Sequence, residues 1–506
     1  VVAFGASFVP AIFWLLAIAS LLRIVLVVQG GQLYWPDERL YTQVLDIFDL
    51  HRGHSFDIVK ALLSTQDHLG FALIAAVPAS IQFALGHALS RSGNGLMLLP
   101  GVVLAQASVA AIGLVYAIAR RAGRDTREAL AAACLMTAAT TMFYYARHLL
   151  PYDSALALGL LAVWCGLGST RRDSLACGAA AAAAFITYNG YWLLAGTALL
   201  LHVAREGRTT TGGAVGRGIV AGAGFALVPA LIVLAEFATG APLMFAGMRR
   251  LAGTVTDGYA PEGFTLPFAY IWHAEHGLLL LWIAAAMLVA LDRGVWSPGR
   301  RRTAATWLFA ATFIFLALGF SSAVFHVFVV MGRQARQVVP FLCLASAAAV
   351  AEQLERRRAM TWLVGTCVVV VGAQAAWNFR VPLQQRFPRD VIDEVVAKYG
   401  PVDFDNTLEG PPLTHAHVDS RFVLLNAQHL YHPRAPRAVR IGGAAGSVAS
   451  DTQPAANELM RFPHPLQFLP YQYEGLDPVE RQVLRGNDIA MRLVDTGVAP
   501  GRDQLP

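Results

Sequence analysis

Charge is what this 506-residue chain has least of. Asp, Glu, Lys and Arg make up 14% of it, against 56% hydrophobic residues. A soluble chain of this length carries far more charge, so that class is excluded, and a mean hydropathy of +0.50 marks a polytopic membrane protein. Cysteine is scarce too. Cys134, Cys165, Cys177, Cys343 and Cys367 all fall in apolar stretches without metal-ligand spacing, so they read as small buried hydrophobes. The hydrophilic C-terminal part has none, which excludes stabilisation by disulfides there. The net charge of +6 comes mostly from arginine, is spread unequally among the loops and needs no nucleic-acid partner to explain it.

Long apolar runs are present instead. A helix crosses the hydrocarbon core with about 20 mainly apolar residues. The candidates are Phe8–Val28, Leu69–Leu89, Leu96–Ala119, Ala129–Ala146, Ser154–Leu167, Leu175–Val203, Ile219–Phe237, Gly277–Leu291, Thr303–Phe320, Val338–Ala351 and Thr361–Trp377. Phe8–Val28 is too long for a signal-peptide core and lacks a small-residue cleavage site, so it reads as a first span. Beyond Asn378 hydropathy collapses, and residues 379–506 read as a separate soluble domain. In that domain Arg421–Asn426 reads as a buried strand, Pro388–Tyr399 and Pro478–Leu493 as helices, and Phe462–Pro465 and Pro470–Gly475 as aromatic loops. The expected fold is an α-helical polytopic membrane protein. Residues 1–378 form a transmembrane domain of about eleven helices plus juxtamembrane helices, with 30–94 as its first outer loop, and 379–506 form a small extracytoplasmic α/β domain.

Fifteen arginines occupy five short loops: Arg120, Arg121 and Arg124; Arg171 and Arg172; Arg205, Arg208 and Arg217; Arg293 and Arg300 to Arg302; and Arg356 to Arg358. The positive-inside rule assigns all five to the cytoplasm. They share one side if Leu69–Leu89 does not cross and if Leu175–Val203 turns back at Tyr188-Asn189-Gly190, where Asn-Gly is a turn signal. The segments 30–94, 147–153, 238–276 and 321–337 then face outward, together with the C-terminal domain.

On that outer side polar residues recur just past span ends. Tyr34-Trp35-Pro36-Asp37-Glu38-Arg39-Leu40-Tyr41 follows the first span directly. Arg147-His148-Leu149-Leu150-Pro151-Tyr152-Asp153 is the second group, and Gly332-Arg333-Gln334-Ala335-Arg336 the fourth. A weaker third group runs through Asp257, Glu262, His273, Glu275 and His276. Ionisable groups at membrane depth point to function by default. Carboxylates on two loops and arginines on another suit a reaction that deprotonates a hydroxyl and holds an anionic phosphate. Transfer from a lipid-phosphate sugar needs that set: a phosphate leaving group requires no acid, the acceptor hydroxyl requires a base, and cations balance the phosphate.

Structural roles compete with each of these. Asp37 suits an N-cap of a helix over 38–48, and Asp153 a cap of the next span. Glu38 suits an ion pair with Arg39 or Arg52. Arg333 and Arg336, one turn apart, suit interfacial snorkelling, as does Arg23. His68 and His148 suit interfacial positions, and Tyr34, Trp35, Tyr152 and Trp272 an aromatic belt. No spacing asserts a metal site, although Asp37 and Asp153 could share a divalent cation such as Mg or Mn through oxygen ligands.

At these residues the chain resembles the C superfamily of membrane glycosyltransferases, in its protein O-mannosyltransferase and lipid A aminoarabinose transferase branch. Those enzymes carry Asp-Glu early in the first outer loop and then Tyr or His-Phe; here that is Asp37-Glu38-Arg39-Leu40-Tyr41. Where they begin a juxtamembrane helix with His-Pro-Pro-Leu, this chain has Gln66-Asp67-His68-Leu69-Gly70, a departure without the prolines. Asp153 matches a second acid opening a span, and Arg333 or Arg336 ahead of Pro340 matches a basic residue before a Leu-Pro-like helix start. The resemblance implies a polyprenyl-phosphate-linked sugar as donor and Asp37 as catalytic base, with Glu38 and Asp153 as further acids. It implies that Arg333, Arg336, Arg147 and His148 hold the donor phosphate, and that His68, Tyr41 and Tyr152 contact sugar or acceptor. Inverting transfer to a glycan, lipid or protein acceptor would occur on the extracytoplasmic face of a bacterial inner membrane. No Trp-Trp-Asp run of the oligosaccharyltransferase kind is present. The alternatives are a transporter or flippase for a lipid-linked sugar, and a polysaccharide polymerase or ligase using a diphosphate-linked donor.

Overall fold

A peptide group left unbonded in hydrocarbon is too costly to keep, so the apolar runs of this chain fold as helices. The computed structural model describes residues 9–29, 38–65, 68–88, 98–205, 213–247, 249, 264–291, 298–325, 332–356, 369, 371–373, 375–376, 403–409, 437–443, 458–466 and 489–495. Asp37, most of Thr361–Trp377, the Arg421–Asn426 strand, the Pro388–Tyr399 helix and the Pro470–Gly475 loop lie outside these residues. The chain divides into two units, Val1–Val28 with Leu40–Phe379, and Gln29–Arg39 with Arg380–Pro506.

The helices run in the order α1 (Val9–Val28), α2 (Arg39–Leu50), α3 (Ser55–Leu63), α4 (Leu69–Ala88), α5 (Leu98–Arg121), α6 (Thr126–Ala138) and α7 (Thr140–Tyr144). There follow α8 (Tyr152–Gly166), α9 (Arg171–Thr187), α10 (Trp192–Ala204), α11 (Ala214–Thr239), α12 (Leu266–Leu291), α13 (Pro298–Ala323) and α14 (Val339–Arg356). Among the described residues six helices are long and apolar enough to cross a membrane, from α1, α5, α11, α12, α13 and α14. The pair α6 and α7, bent by 62°, makes a seventh if it counts as one span, and Leu69–Leu85 and Tyr152–Gly166 are shorter apolar helices. These apolar helices make the chain an integral membrane protein. Leu175–Val203 is broken where the sequence places its turn. Tyr188 leaves the helical region at φ −151°, ψ 104°, a short 3-10 turn covers Asn189–Tyr191, and α10 starts at Trp192.

Small residues let these helices approach closely. A Cβ on Gly178 of α9 would collide with the Ala221 carbonyl of α11, and one on Gly224 of α11 with the Leu175 carbonyl of α9. The alanine run Ala179–Ala184 continues the smooth face of α9, which also packs against α8.

Among the described residues, parts of four arginine-marked loops gather at one end of the bundle. Arg121 Nη2 meets Asp173 Oδ1 at 2.6 Å, and Arg205 donates to the carbonyls of Leu167 and Gly168. Arg217 binds the carbonyls of His202, Val203 and Arg205 at 3.1, 2.8 and 2.6 Å. On the same side Arg300 joins three acids, Asp125 at 3.1 Å and Glu128 and Glu352 at 3.0 Å each, tying α6, α13 and α14 together. Asp173 also closes a capping box with Thr170. Burial raises its pKa, but bonds from the Thr170 hydroxyl and amide and from Arg121 outweigh this and hold it below the usual carboxylate value.

In the second unit four strands, β1 (Asp403–Glu409), β2 (Arg437–Gly443), β3 (Glu458–Leu466) and β4 (Ile489–Asp495), form one sheet of order β1-β2-β4-β3. β1 and β2 are parallel; β4 is antiparallel to both its neighbours. Two expectations are corrected here. The stretch 489–493, expected to be helical, is the start of a central strand, its pattern overridden by pairing on both sides. Phe462–Pro465, expected as a loop, lies in edge strand β3, where the register shifts between Phe462 and Leu466. Proline, lacking a donor, is tolerated at such an edge bulge.

Candidate functional site

α8 fixes one wall of the site. It carries Asp153 in its first turn and reaches the arginine-marked end at Gly166, which separates the two by about 20 Å at 1.5 Å per residue. No charged side chain lies on it between Asp153 and that loop. Asp153 is buried and does not cap the helix; its carboxylate pairs with Arg336. Arg336 is wholly buried on the 3-10 turn before α14, with its Nη2 also 3.8 Å from Met142 Sδ. Its Nε and Nη1 are buried with no hydrogen-bond partner among the described residues. Donors left bare in a dry interior are costly, and an anion would satisfy them.

Each of three arginines lies over one tyrosine ring: Arg147 over Tyr144 at 5.6 Å, Arg336 over Tyr145 at 4.9 Å and Arg333 over Tyr152 at 5.5 Å. Arg333 Nη1 also donates to the Tyr152 hydroxyl at 2.7 Å, and Arg147 Nε lies 3.4 Å from His148 Nε2. The rings form a continuous chain. Tyr144 meets Tyr145 at 5.0 Å, Tyr145 meets Tyr152 at 5.4 Å, Tyr152 meets Tyr188 at 4.8 Å and Tyr188 meets Tyr191 at 5.1 Å. His148 packs on Tyr144 at 5.6 Å and His68 on Tyr188 at 5.2 Å, which brings α4's start to the same cluster. His68 takes a left-handed φ of 56°, unusual for a side chain with a Cβ.

Hydrogen bonds brace the cluster. Tyr191 donates to the Arg333 carbonyl at 3.1 Å, and Gln337 accepts from the Leu194 amide at 2.8 Å while donating to the Gln334 carbonyl at 2.8 Å. Glu275, at a kink in α12, accepts from the Thr141 amide and hydroxyl at 2.7 and 2.9 Å. Arg23 is not a snorkeler. It is wholly buried, donating to Ser108 at 3.0 Å, Ala19 O at 3.1 Å and Met142 O at 3.5 Å. Four guanidinium groups (Arg23, Arg147, Arg333, Arg336) and two carboxylates (Asp153, Glu275) thus lie in this region among the described residues.

Of the residues singled out in the sequence, Arg147, His148, Tyr152, Asp153, Arg333, Arg336 and His68 therefore meet. His148 and Tyr152 are buried, and Trp272 is exposed. Tyr41 is buried too, but its hydroxyl donates to Gln82 at 2.7 Å, tying α2 to α4. Glu38 is buried and belongs to the second unit. Asp37 lies outside the described residues. No group of three or more His, Cys, Asp or Glu fit for a metal occurs among the described residues, and Asp153 is taken by Arg336. Tyr144, Tyr145, Tyr188, Tyr191 and Gln337 were missed as site residues. The signal for the four tyrosines is their recurrence at span ends beside Arg147 and Arg336.

The fold and this cluster define a polytopic helical membrane protein with a cation-rich, tyrosine-lined site at the end of its bundle opposite the arginine-marked loops. The chain is similar to two solved structures of ArnT from Cupriavidus metallidurans. The one bound to undecaprenyl phosphate has a TM-score of 0.49 and 11% identity, covering 97% of this chain and 99% of that one. The apo structure has a TM-score of 0.32 and 13% identity over the same shares. No family model and no curated protein matches the chain. At TM-scores below 0.5 neither superposition assigns a residue here, and the site rests on the chain's own geometry.

Proposed function

We propose that this chain is a membrane glycosyltransferase that moves a sugar from a polyprenyl-phosphate donor to an acceptor hydroxyl. The observation that carries the proposal is the set of three arginines stacked on three tyrosines, one of them, Arg336, paired with Asp153 and with two guanidinium nitrogens unbonded among the described residues. Arg333, Arg336 and Arg147, with His148, hold the lipid phosphate and balance its charge as the glycosidic bond breaks. Asp153 orients Arg336 and thereby the phosphate. Asp37, assigned from the sequence alone, takes the acceptor proton, with Glu38 beside it. The acceptor oxygen then attacks the anomeric carbon, the C–O bond to phosphate breaks, and polyprenyl phosphate leaves with the electron pair, inverting the centre. Tyr152 and His68, with Tyr188, offer ring faces to the sugar, and Tyr41 holds α2 in place. The site faces the extracytoplasmic side of a bacterial inner membrane.

The test is a radiolabelled polyprenyl-phosphate-sugar assay on the wild type and Asp37→Asn. Loss of a general base predicts a fall of about a hundredfold or more. Unchanged transfer in the variant would remove the base assignment, and transport without transfer would favour the flippase.

A further inference from the structure

A helix broken inside a bilayer exposes backbone groups that something must bond. The break between α6 and α7 is such a case. Ala139 sits at φ −64°, ψ 124°, no Gly or Pro occurs in 137–141, and no side chain of the segment caps α7. Two buried charges from distant helices act there instead. Glu275 of α12, 134 residues away, accepts from both the amide and the hydroxyl of Thr141. Arg23 of α1, 119 residues away, converges with Ser108 of α5 on the Met142 carbonyl, at 3.5 and 2.6 Å. A continuous helix over 126–147 would need neither charge, and it would carry Arg147 along the axis of α6 instead of 62° away from it.

We infer that Arg23 and Glu275 are positioning residues: they clamp the broken helix so that Tyr144, Tyr145, Arg147 and His148 reach the anion cluster. Neither lies among the groups assigned to the phosphate, and both act through the backbone of 141–142. Arg23 and Arg336 also share Met142, one at its carbonyl and the other at its sulfur, so the clamp and the phosphate-binding guanidinium are one residue apart. The inference rests on the reading of that cluster as the phosphate site.

The test uses the full chain in detergent, with amide hydrogen exchange over 139–148 and binding of farnesyl monophosphate as two separate readouts. Glu275→Leu and Arg23→Met each remove a charge-assisted hydrogen bond, so exchange in that segment should quicken and probe affinity fall by about tenfold or more, while exchange in α9 and α11 stays unchanged. Glu275→Gln keeps an acceptor oxygen and should restore both readouts to near wild type, and it remains informative if the leucine variant does not fold. Exchange that is unaltered in 139–148, or quickened evenly across the bundle, would overturn the positioning role, as would a loosened segment with undiminished affinity. A wild type that fails to bind farnesyl monophosphate would overturn the phosphate reading instead, and the exchange comparison would still decide whether the clamp exists.

Discussion

The pairing of Arg336 with Asp153 sets the terms at the scale of single residues. Both are buried, and removing one partner of a buried pair costs about 3–5 kcal/mol because the other charge is stranded. Asp153→Asn should therefore lower the thermal unfolding midpoint in detergent sharply. Asp153→Leu with Arg336→Met should regain most of that stability yet not bind farnesyl monophosphate, and retained binding would take Arg336 out of the site. His68 offers a second separation. Asn tolerates the left-handed backbone while deleting the ring that meets Tyr188, so His68→Asn should keep stability and lose sugar transfer. His68→Val should lose both, at about 1–2 kcal/mol of backbone cost. Equal unfolding midpoints for the two variants would show that the positive φ is unimportant.

Elements differed in how much of them could be read from sequence. The break at Tyr188 was legible because Asn189-Gly190 is a local turn signal, and the start of α8 because Pro151 stands before it. The break at Ala139 was not. It lies among Ala and Thr residues, and its partners Arg23 and Glu275 are more than a hundred residues away, beyond the reach of any sequence window. The tyrosine chain escaped for the same reason, since Tyr145, Tyr152 and Tyr188 meet only once three helices pack. Strand β4 escaped because neighbours on both sides, not its own pattern, hold it extended. Close packing of α9 on α11 gives a prediction at this scale. Gly178→Leu or Gly224→Leu should push the two helices apart, since each added side chain meets backbone and not a movable side chain. Overpacking of this kind costs about 1–3 kcal/mol or more. A lowered unfolding midpoint is the expected result, and an unchanged one would contradict the close approach.

Across the whole molecule the two ends of the bundle carry different electrostatics. One holds the arginine-marked loops and their acids, and the other the buried cations around Asp153. Asp173 belongs to the first, and its lowered pKa gives the sign of a pH effect. Its stabilising contribution is complete above the unfolded value of about 3.9 and is lost as pH falls through the lower folded value. The unfolding midpoint should thus fall below pH 4 in the wild type and fall less in Asp173→Asn. Identical pH profiles would leave the Arg121 contact without weight. Which end meets the cytosol decides whether transfer can occur on the outer face. The direct measurement is labelling with a membrane-impermeant maleimide in intact cells, using single cysteines at position 37, 171 or 302 in a background without the native cysteines. Position 37 should react before permeabilisation and positions 171 and 302 only after it; the reverse order would contradict transfer on the outer face.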